Sequence, residues 1–125
     1  MKIPDHLKAH EEFKSSLERL STNLHGHRRA IVEICVIAAA NLTNTALHRV
    51  GHVPDDRDIK HQHLYGLLKR ERPFDEAEEL SSHHNELEQL KYSVTHGVER
   101  DAELAKRALD LLSKVEAVVM RRMQG

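Results

Sequence analysis

One segment sets a fixed cation close to a proton-transfer group: Leu90-Lys91-Tyr92-Ser93-Val94-Thr95-His96-Gly97-Val98. An imidazole titrates near neutral pH, so His96 can take or give a proton. Lys91 is a compact charge able to neutralise a phosphate or a developing anion. Five positions along a straight helix leave two side chains roughly 140° apart. The pair therefore converges only where the helix bends or ends, or across a dimer, and Gly97 supplies an ending. The competing explanation is local, because cations near a helix C-terminus are favoured by its dipole and free carbonyls.

A second chemistry is opened by the 11 histidines. His6/His10 and His48/His52 are four apart, His61/His63 two apart and His83/His84 adjacent. Two histidines one helical turn apart can share a metal. Gly51 is expected to break the helix between His48 and His52, and no Glu-x-x-His pattern occurs. The expectation is therefore solvated surface histidines, with no metal and no cofactor, and transition metals held only weakly and without fixed stoichiometry. Asn41, Thr43, Asn44 and Thr45 interrupt an apolar run; they could line a polar pocket or interface, and the preferred reading is the solvent-facing end of the helix.

These residues need elements to hold them. The chain of 125 residues suits one domain spanning 1–125, with one core. Aromatics are 3% with no Trp, so that core must come from Leu, Ile, Val and Ala. Cys35 stands in an apolar run and reads as a small buried hydrophobe that cannot form an intramolecular disulfide. Net charge is −1, which removes the usual basic-excess argument for nucleic-acid binding. The amino terminus has no apolar signal core and no stretch reads as membrane-spanning, so the expectation is a cytoplasmic, soluble protein without a membrane partner.

Periodicity predicts a helix from Pro4 to about Leu24, carrying Leu7, Phe13, Leu17 and Leu20. Another is predicted from Arg28 to Val50, apolar nearly all round and stopped by Gly51. A short helix through Leu64, Leu67 and Leu68 ends at Pro73, with Asp55, Asp56 and Asp58 as candidate caps. Asp75 with Glu78 resembles a capping box before a helix from Ala77 toward Val94. The last runs from about Asp101 to Met123, with Lys106, Arg107, Asp110 and Lys114 facing away from its stripe. The fold class expected is all-α: an antiparallel, up-and-down four-helix bundle with one additional short helix. The second helix looks too apolar for three neighbours to cover, so a symmetric homodimer is expected.

The Lys91–Val98 segment resembles the motif of the HEPN superfamily, which runs Arg, a polar residue, three more residues, His, any residue, then Tyr. Lys91 stands at the Arg position, Tyr92 at the polar one, His96 at the His and Val98 at the Tyr. Element order is similar over roughly residues 28 to 120, through Ala46-Leu47-His48-Arg49-Val50-Gly51, a Pro-containing loop and His63-Leu64-Tyr65-Gly66-Leu67-Leu68. The resemblance implies a metal-independent endoribonuclease of toxin–antitoxin type, or an RNA-binding unit, acting as a dimer. Lys91 and His96 would be catalytic, and Tyr92 and Arg100 would bind substrate. The alternative it implies is a catalytically silent module that binds a nucleotide or a nucleotidyltransferase partner. Lys91 lacks the bidentate fork of Arg. Val98 has no hydroxyl for such a partner to modify. Arg57-x5-His63-x-Tyr65 is a looser version of the motif, placed in the wrong element.

Overall fold

In the computed structural model, which describes residues 1–97 and 102–124, the chain is all-α, with no strand among the described residues. Five helices follow one another: α1 (Ile3–Leu20), α2 (Arg28–Arg49), α3 (His61–Glu71), α4 (Ala77–Thr95) and α5 (Glu103–Gln124). A 3-10 turn, Ser21–Asn23, closes α1 earlier than the predicted Leu24, which still packs on the core. Pro4 sits in the first turn of α1, where its missing N–H costs nothing.

The core is organised around α2, which packs against α1, α4 and α5. Ile31, Val32, Cys35, Ala38, Ala39, Leu42, Ala46 and Leu47 are completely buried. Three neighbours thus cover most of this helix, more than its all-round apolar character led one to expect. Its own neighbours enclose it, and only Ile37 among its large apolar residues is substantially exposed, at 49%. By length and composition α2 also equals a membrane-spanning helix, contrary to the sequence expectation, although most of its apolar window is buried within the chain. The α5 stripe is as predicted. Leu104, Ala108, Leu111, Leu112, Val115 and Val119 are buried, and Lys106, Arg107, Asp110 and Lys114 are exposed.

The helix ends follow the backbone rules more closely than the side-chain ones. Gly51 adopts φ +76 just past α2, the left-handed conformation that favours glycine. Arg72 closes α3 in the same region at φ 43, and Pro73 prevents continuation. The Asp75/Glu78 capping box does not form. Glu76 occupies the cap position of α4 without a side-chain cap, and its carboxylate instead receives Arg122 of α5 at 2.6 Å and 3.0 Å. Nor do Asp55, Asp56 or Asp58 cap α3, which starts at His61 after Lys60.

Candidate functional site

The C-terminal end of α4 and the N-terminal end of α3 together form an open groove. It is lined by Glu88, Lys91, Tyr92, Thr95 and His96 from α4 and by His61 and Gln62 from α3. Lys91 falls on the inward register of α4, in step with Leu80, His84, Leu87 and Val94. It is half-buried and lines the groove. His96 stands one residue beyond the helix, at φ −91 and ψ 2, and Gly97 follows at φ 65. The ending that convergence required is therefore present.

His96 is held by its own turn. Its backbone N–H and its ring Nδ1 both donate to the Tyr92 carbonyl, at 3.0 Å and 2.9 Å. That fixes Nδ1 as the protonated nitrogen of the neutral ring and leaves Nε2 as the acceptor. The ring lies over Tyr92 with centroids 4.0 Å apart and an interplanar angle of 26°. Tyr92 is 62% exposed, so the two rings form a stacked pair open to solvent. Glu88 Oε1 meets His61 Nδ1 at 2.5 Å, so the groove lining carries a carboxylate as well as the Lys91 cation. Arg100, proposed from sequence as substrate-binding, and Val98 both lie outside the described residues. The looser motif does not assemble: Arg57 and His63 are exposed while Tyr65 turns toward Lys69.

Four of the remaining histidines contradict the expectation of solvated side chains, whereas His25, His27, His52 and His63 are exposed as expected. His6, His10 and His84 are 2% exposed each, and the His48 ring is likewise enclosed. Sequence reasoning missed them although the signal was there. His6, His10, Phe13 and Leu17 share the inward register of α1, and His84 shares that of α4. His84 Nε2 lies within hydrogen-bond distance of Thr43 Oγ1, at 2.7 Å. Burial pushes the His84 pKa down to about 3, and the neighbouring His83 and His61 add to the effect. It is thus a neutral core group.

The polar run of α2 is also not a solvent-facing end. Thr43, Asn44 and Thr45 are buried. Asn44 reads the loop ahead of α3 like a paired strand: Nδ2 donates to the Ile59 carbonyl at 2.9 Å and Oδ1 accepts from the Ile59 N–H at 2.8 Å. Thr45 returns its hydroxyl to the Asn41 carbonyl within the helix. The chain matches no protein-family model, no curated protein and no solved structure. Functional reasoning therefore rests on these geometries.

Proposed function

We propose that the chain is a HEPN-like domain whose α3–α4 groove binds RNA and cleaves it without a metal. In this reading α1, α2, α4 and α5 are the antiparallel bundle and α3 is the additional short helix. The observation that carries it is the meeting of Lys91, Tyr92 and His96 in one open groove, with His96 anchored through Nδ1 and its Nε2 turned to proton transfer. The chemistry then follows. His96 Nε2 takes the proton from a ribose 2′-OH, the 2′-oxygen bonds to phosphorus, and the P–O5′ bond breaks, with the proton delivered to the departing 5′-oxygen. Lys91 neutralises the extra charge on the phosphorus oxygens. The Tyr92–His96 pair offers a face on which a base can stack. Two copies would set two such grooves side by side, as the resemblance implies.

One observation favours the silent alternative. Glu88 brings a carboxylate into the groove where a phosphate would lie, which opposes the charge of Lys91. A nucleotide or protein partner would then be held without turnover. Cleavage of a structured RNA by purified protein separates the readings. His96→Ala should abolish cleavage with RNA affinity nearly kept. Lys91→Ala should weaken both, with the binding loss shrinking at high salt. Lys91→Arg should raise activity by restoring the fork. Intact RNA with wild type and with Lys91→Arg alike would leave the binding module. Light scattering at several concentrations tests the homodimer, and a monomer throughout would refute it.

A further inference from the structure

Away from the groove, α1, the end of α2 and the α2–α3 loop converge on His6, His48 and Asp58. Two hydrogen bonds decide where the ring protons sit. His48 Nδ1 donates to the Val53 carbonyl at 2.9 Å, and a carbonyl can only accept. His6 Nδ1 lies 2.6 Å from Asn41 Oδ1. The same amide donates through Nδ2 to the His6 carbonyl at 2.8 Å, so its oxygen must face the ring. As neutral rings, both histidines therefore carry the proton on Nδ1. Both Nε2 lone pairs then point at one carboxylate oxygen, Asp58 Oδ1, at 3.1 Å and 2.8 Å.

Two Nε2 lone pairs facing one carboxylate oxygen repel unless a proton or a metal cation sits among them. The two histidine side chains are only 3% and 2% exposed, so water does little to relieve that repulsion. We infer that His6, His48 and Asp58 form a binding site for a divalent transition-metal ion of the zinc type. Donors bound to a tetrahedral zinc stand roughly 3.3 Å apart, given bond lengths near 2.0–2.1 Å. The three ligand atoms here all lie within 4.8 Å of one another, a cluster that small adjustments would close onto an ion. Imidazole and carboxylate are the donors such ions accept.

The surroundings are those of a built site. Each metal-binding nitrogen has its opposite ring nitrogen donating to a carbonyl oxygen, which fixes the ring plane and raises donor strength. Asp58 is placed by the residue next to it, since Ile59 is clamped through both backbone groups by the buried Asn44. Three protein ligands leave a position for water or for the Met1 amine, which lies 3.3 Å from Asp58 Oδ1. Because the ligands come from three separate segments, a bound ion would tie α1 to α2 and hold the connecting loop. This site is independent of the groove.

The full chain, stripped with EDTA and titrated with Zn²⁺ by calorimetry, is expected to bind one ion with a Kd below roughly a micromolar and to gain in Tm. Co²⁺ in its place should develop visible d–d absorption. Asp58→Asn and His48→Gln each remove a metal ligand with little change in size, and each should weaken binding on the order of 100-fold. Asn41→Ala touches only the orientation of His6 and should cost about 10-fold or more. Replacing the exposed His25, His27 and His63 by alanine should leave affinity unchanged, with helicity checked by circular dichroism for every variant. Several weak sites that Asp58→Asn and His48→Gln leave untouched would overturn the inference, as would one-to-one binding that survives both.

Discussion

Replacing Asn44 by alanine should destabilise the domain more than any other single change in the polar run of α2. The side chain makes three hydrogen bonds: two to Ile59 and one to the Ala40 carbonyl at 2.9 Å. The Ala40 carbonyl keeps its place in the helix ladder, so its loss matters little. Ile59 has no such substitute, and its N–H and C=O would lose their partners together. Leaving a buried backbone group unsatisfied costs about 1–3 kcal/mol. Ile59 is half-buried, so the lower part of that range applies to each group. The sum is about 2–3 kcal/mol, or roughly 8–12 °C in Tm for a domain of this size. Asn44→Asp should be no better, because a carboxylate oxygen would replace the donor facing the Ile59 carbonyl. Urea denaturation gives the free energy. Limited proteolysis after Arg57 reports the loop directly, and cleavage there should accelerate in the variant. A loss under about 1 kcal/mol with unchanged proteolysis would refute the view that Asn44 holds the loop.

His84 titrates at about 3 in the folded chain against an ordinary value of 6.5, because burial disfavours its charged form. The unfolded chain therefore takes up a proton that the native one refuses as pH falls from 6.5 toward 3. Stability should drop by about 1.4 kcal/mol per pH unit from this group in that window, and be fully present above it. His84→Gln, which can keep the Thr43 bond, should flatten the stability–pH slope there by nearly one proton, and an identical slope would refute the assignment. The Cys35 thiol is pushed up to about 12 by burial, so a thiol reagent at pH 8 should label it only after denaturation. At Gly51 an added Cβ meets nothing within 4 Å, so Gly51→Ala tests the backbone alone. It should cost about 1 kcal/mol in urea denaturation, and Gly51→Asn less.

Helix positions were legible in the sequence because apolar spacing, Gly51, Pro73 and Gly97 all act locally. The α5 stripe and the end of α4 needed nothing else. Side-chain partners were not legible, since they depend on which segments meet. Asp58 reads as a helix cap until α1 and α2 bring His6 and His48 to it, and Glu76 serves Arg122 rather than its own helix. The burial of His6, His10 and His84 was in principle readable from their register with Phe13, Leu17 and Leu87. For a histidine on an inward stripe, residue type points to solvent and register points to the core, and register prevails. For Lys91 and His96 the spacing could show only that convergence needs a helix end. The folding of the His96 ring over Tyr92 is a property of the turn itself.

The central position of α2 also orders events in time during synthesis. Of the helices that cover α2, a ribosome has released α1 when α2 emerges, while α4 and α5 follow later. For that interval a stretch apolar enough to enter a bilayer stands partly bare in the nascent chain. Any chaperone or insertion machinery that met the segment in that interval would compete with folding for it. Pausing translation between α3 and α5 would prolong that competition, whereas faster passage to Val115 and Val119 would end it.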